Sequence, residues 1–134
     1  TTSTLPADIL AFLQEVDRFD AVSQDLLPEL NQVNDQWEER EISSDEATAG
    51  FAAVRNGAQE LANQVAATTV PDPYAPAWPD TIVASQQLVT TADAVIEGFE
   101  APDDGTLRRE AVAQYQVDTV AFQDQLDTVR ALTP

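Results

Sequence analysis

Almost every side chain in this sequence that could do chemistry is a carboxylate. Twenty-four Asp and Glu residues face six arginines, and lysine, histidine, cysteine and methionine are absent, giving a formal net charge of -18. Without cysteine there is no disulfide, thiolate ligand or thiol nucleophile. Without imidazole or soft sulfur, zinc, copper and haem lose their usual ligands. Serine and lysine nucleophile schemes lack either their base or their nucleophile, and a di-iron bundle centre needs Glu-x-x-His pairs. What remains is carboxylate chemistry: hard cations and acid–base work. Glu38, Glu39, Glu41, Asp45 and Glu46 gather around one turn, where calcium or magnesium would need several oxygens to converge. EF-hand spacing is absent, and Asp103-Asp104-Gly105 is too short to supply it. Glycoside chemistry needs two carboxylates facing each other across a cleft. The expectation is a non-enzymatic protein with no catalytic residues, no metal site and no cofactor, its carboxylates serving as solvated and helix-capping groups.

The same charge narrows the partners. An acidic surface repels nucleic-acid phosphates and anionic lipid heads, so neither nucleic acid nor an anionic membrane surface is expected as a partner. Three causes fit the acidity: adaptation to high salt, where dense carboxylates hold water and screening removes their repulsion; the lysine-poor, alanine-rich usage of a high-GC genome; and a specific cationic partner.

These residues must be carried by helices. Between Ala47 and Val65, apolar or small residues recur at Ala47, Phe51, Val54, Ala58, Leu61 and Val65 in steps of four and three, the narrow stripe of a helix packing along another helix. A first helix from about Pro6 to Arg40 or Glu41, flanked by Thr4 or Leu5, carries Ile9, Phe12, Leu13, Val16, Phe19, Ser23, Leu26, Leu30, Val33 and Trp37. Its stripe keeps phase through Pro28, so a kink is expected there, with two helices meeting as the alternative. Ile42, Ser43 and Glu46 read as a staple and capping box opening the second helix, which runs to about Thr69. Gly50 and Gly57 inside it point to a close helix approach.

From Val70 to Asp80 four prolines favour an extended course. A third helix, starting around Pro79 or Asp80, carries Ile82, Ser85, Leu88 or Val89, Ala92, Val95 or Ile96, and Phe99. After an acidic turn capped by Asp103, Asp104 or Thr106, a fourth helix carries Leu107, Ala111, Tyr115, Thr119, Phe122, Leu126 and Val129. The 134 residues suit one domain. The predicted fold is all-α: an up-down-up-down four-helix bundle over residues 1–134, with a kinked long first helix and a proline-rich connection between helices 2 and 3.

Tyr74 and Trp78, on that stiff connection, are the candidate partner-binding residues, since such aromatics make interface anchors. The other reading folds them back to cap the open end of the bundle, against Trp37. Asp118 stands where an apolar residue is expected; it either reaches water at the stripe margin or points inward to set register. Val117, Val120 and Ala113 fall on the outer face of the last helix.

A long first helix ending near Trp37, an Ile-Ser-x-x-Glu helix start (Ile42, Ser43, Glu46), a Val-Pro stop (Val70, Pro71) and an acidic turn before the final helix resemble the helical extracytoplasmic domains of unknown function in secreted and lipid-anchored proteins of Gram-positive bacteria. The resemblance implies a location outside the cytoplasm, secreted or surface-anchored. The Thr-Thr-Ser-Thr start is read as a mature or truncated end. The expected role is an extracytoplasmic interaction or structural module with a protein partner. The alternative is a ligand-sensing input domain of a membrane receptor.

Overall fold

The computed structural model describes residues 5–134; the Thr1–Thr4 stretch, and with it Thr4 as a flank for the first helix, lies outside the described residues. Within them the chain is all-helical: α1 (Ala7–Glu38), α2 (Ser44–Ala67), α3 (Trp78–Glu100) and α4 (Thr106–Arg130), with a 3-10 segment at Asp72–Ala77 before α3. Each helix packs on the next, and α1 also packs on α4. Residue pairs mark each contact. Arg18 meets Gln64, and Leu26 and Val33 lie against Gly57 and Gly50. Arg55 meets Asp93 across α2 and α3. Thr91 and Asp118 pair across α3 and α4, and Ser23 and Gln123 across α1 and α4.

The predicted stripes form the core. Ile9, Phe12, Val16, Phe19, Ser23, Leu26 and Leu30 are buried on α1, which continues unbroken through Pro28. All six residues of the α2 stripe are buried. The reason for Gly50 and Gly57 is steric: a Cβ there would sit 2.7 and 2.6 Å from the methyls of Val33 and Leu26.

Helix punctuation follows local chemistry. Ser43 accepts from the Glu46 amide, and Glu46 accepts from the Ser43 amide, each at 3.1 Å, completing the capping box. Ahead of α4, Asp103 accepts from the amides of Gly105 and Leu107, and Asp104 from that of Thr106. Helix α1 ends at Glu38, short of Arg40. The Arg40 amide donates to Trp37 O and the Glu41 amide to Gln36 O, with Arg40 at φ 59° in the left-handed region. This is a Schellman ending with arginine where glycine is usual.

Three sequence readings change. The span expected to be extended coils instead into the 3-10 segment, and α3 starts at Trp78. Pro73 and Pro79 are the second residues of their helices, within the first turn, where the missing N–H costs nothing and the fixed φ helps. At the start of α4, Leu107 is 53% exposed while Arg108 is 4% exposed. Asp118 lies inside, 7% exposed, rather than at a wet margin, because Thr91 and Gln114 hold its carboxylate.

Candidate functional site

A concavity of about 880 Å³ opens between the start of α1, the end of α2 and the 3-10 segment. The amphipathic period of α1 sets its floor: Ile9 and Phe12 are three residues apart and face inward, 6% and 3% exposed. Ala11 and Ala67 form small-residue walls, and Val70, Pro71 and Pro73 the far side. Asp8, Glu15 and Asp72 stand at the rim. Arg18 closes one flank. Its guanidinium pairs with Glu15 at 2.6 Å, donates to Gln64 Oε1 at 2.6 Å and lies 4.9 Å from the centre of the Phe19 ring. The Arg18 hydrogen bond holds Glu15 below the usual carboxylate range.

Tyr74 and Trp78 are 0% and 4% exposed and do not line this groove; they lie inside because of what the rings gain there. Phe12 stacks on Tyr74 with ring centres 4.5 Å apart and meets Trp78 edge-on at 5.2 Å, while Trp78 also lies 6.4 Å from Phe19. Both polar atoms are satisfied there: Trp78 Nε1 donates to Val65 O at 3.0 Å, and the Tyr74 and Thr133 hydroxyls share a hydrogen bond of 2.8 Å. Amphipathic aromatics bury readily once that handle is paired. They close the bundle without touching Trp37, which packs 5.0 Å from Phe99 at the opposite end. The groove itself was not legible in the sequence. Ile9 and Phe12 read as stripe residues, and only the fold-back of residues 70–73 turns that stripe into a floor.

The acidic cluster around the first turn is dispersed. Glu38 Oε1 accepts from Arg109 at 2.7 Å and from Arg108 at 3.0 Å, and those two guanidinium groups, Arg109 first, hold its carboxyl below the ordinary value. Glu46 belongs to the capping box, and Glu39 is raised by its hydrogen bond with neighbouring Glu41. Among the described residues no three Asp or Glu side chains come together as metal ligands. Arg108 was not foreseen; its position is in phase with the α4 stripe, and its charge disguised it. Buried between α1 and α4, it also pairs with Asn34.

Four inner hydroxyls bond to backbone close by: Ser23, Thr81, Ser85 and Thr119 donate to oxygens three or four residues back, at 2.7–3.0 Å. Chemically, the arrangement offers an apolar floor, an acidic rim and no activated nucleophile among the described residues. No described helix is long and apolar enough to cross a membrane. Comparisons with known protein families, curated proteins and solved structures find no match to this chain.

Proposed function

We propose that this chain is a non-enzymatic, strongly acidic interaction module working outside the cytoplasm, with the groove between α1, α2 and the 3-10 segment as its contact surface. One observation carries the reading. The concavity between these elements is floored by Ile9 and Phe12 and rimmed by Asp8, Asp72 and the Arg18-paired Glu15, on a chain of net charge -18. That combination suits a protein segment whose apolar side chains are flanked by basic ones. Pre-organisation supports it, because the Phe12–Tyr74–Trp78 stack fixes the floor before any partner arrives. The extracytoplasmic location rests on the resemblance alone. The finer architecture belongs to the same reading: an up-down-up-down bundle, supported by the opposed residue pairs along each contact, whose first helix bends where Pro28 removes one backbone donor.

The test is amide chemical-shift mapping of the 134-residue chain against a short amphipathic peptide of leucines and lysines. A counterpart with glutamate in place of lysine serves as control. Saturable shifts at Ile9, Phe12, Ala67 and Val70 with the basic peptide alone are the expected result. Shifts confined to other faces, or equal binding of both peptides, would refute the assignment.

A further inference from the structure

A second concavity, between α3 and α4, has a different chemistry. Asp118 is the only buried carboxylate among the described residues, and no arginine among them forms an ion pair with it. Its partners are neutral. Gln114 Nε2 donates to Oδ1 at 2.9 Å, and the Thr91 hydroxyl reaches Oδ2. That hydroxyl has one proton and a second acceptor, Gln87 O, at 3.0 Å. A carboxylate has about four acceptor directions, so at most two are filled from within the protein.

Asp118 lines a groove of about 390 Å³ together with Asp80, Val83, Ala84, Ala121 and Gln125. Gln125 marks the far end of the groove, where its Nε2 donates to Ala77 O at 3.0 Å and to Thr81 Oγ1 at 3.3 Å. Val83, Ala84 and Ala121 supply apolar walls, and Val83 is 62% exposed. Spare acceptors and a desolvated negative charge beside a short aliphatic wall complement a cation on an alkyl chain.

We propose that this groove binds a primary alkylammonium group, with the ammonium on Asp118 and the methylenes along Val83, Ala84 and Ala121 toward Gln125. This site is separate from the α1–α2 groove and stands independently of the function proposed for it. A free aliphatic amine and the lysine side chain of a protein share this chemistry.

The experiment is an amide and side-chain carboxamide shift titration of the whole chain at about 150 mM salt, where surface attraction is largely screened beyond ~8 Å. The probes are 1,5-diaminopentane, Nα-acetyl-lysine methylamide and neutral 1-pentanol. Both ammonium compounds should shift Gln114, Asp118 and Gln125 saturably, and pentanol should not. Tighter binding of the diamine assigns a free amine, and tighter binding of the lysine derivative assigns a protein side chain. Asp118→Asn should weaken binding at least about tenfold. Ala121→Trp, at an exposed position on the groove wall, should abolish it and decides the matter if the first variant fails to fold, while Glu60→Gln on the outer face of α2 should bind like the parent. Equal affinity in the parent and the Ala121→Trp variant, shifts spread over the acidic surface, or equal response to pentanol would overturn the proposal.

Discussion

At the scale of single residues, Tyr115 shows how a buried polar atom is held without reward. Its ring is fully buried on α4, and its hydroxyl has no hydrogen-bond partner among the described residues. Desolvation first, then the charges of Glu29 and Asp118, push its ionisation upward. An unpaired buried hydroxyl costs about 1–3 kcal/mol of desolvation, so Tyr115→Phe should leave urea stability unchanged or raise it by up to about 1 kcal/mol. The sign of the pH effect follows. Above the ordinary tyrosine value near 10 the unfolded chain loses a proton that the folded chain keeps, so stability falls as pH rises from there. Urea midpoints at stepped alkaline pH should show this loss in the parent and a smaller one in Tyr115→Phe. A second pair separates rigid from yielding neighbours. A Cβ on Gly98 would lie 2.5 Å from the Arg108 backbone nitrogen, whereas one on Gly57 meets only the far end of Leu26. Gly98→Ala should therefore cost about 1–3 kcal/mol or more. Gly57→Ala should fall within about 1 kcal/mol of the parent, its clash offset by helix propensity. Thermal melts of both variants make the comparison.

At the scale of elements, the ending of α1 carries its own test. Arg40 adopts a left-handed conformation that costs a non-glycine residue roughly 1 kcal/mol. Arg40→Gly should recover about 0.5–1 kcal/mol, as glycine is the preferred residue at that position. The melt belongs at high salt, where the lost cation matters least. Helix existence was legible because four stripes at helical spacing were present, and their starts were legible where a side chain caps, as Ser43 and Glu46 do. The coiling of residues 72–77 was not legible. Proline content limits which hydrogen bonds form, but both an extended strand and a helical first turn satisfy its φ. The facing of α4 was half legible, since Leu107 and Arg108 lie at adjacent angles and hydropathy favours the wrong one. Packing chose arginine because Asn34 and Glu38 on α1 stand ready to pair with it. The α3–α4 site was legible only as an anomaly at Asp118; the groove beside it depends on how two helices meet.

At the scale of the whole molecule, charge and shape act together. A net charge of -18 on 134 residues opposes compaction by self-repulsion. Screening shortens that repulsion from about 10 Å at 0.1 M salt to about 3 Å at 1 M. Circular-dichroism melts should therefore show the midpoint climbing by several degrees from low to molar salt, equally in sodium and potassium chloride. A preference for one of the two cations would mean that a specific site, rather than screening, holds the fold. In the proposed function the same field would draw basic segments toward the protein, with the groove floored by Ile9 and Phe12 as the apolar surface that keeps them. Ala11 lies exposed on the α1 wall of that groove, so Ala11→Trp fills it without disturbing the core. Titration calorimetry of the leucine–lysine peptide against the parent and Ala11→Trp is the direct test. The account predicts at least about a thirtyfold loss of affinity, roughly 2 kcal/mol, with the melting midpoint unchanged. Undiminished binding by the filled groove would contradict it.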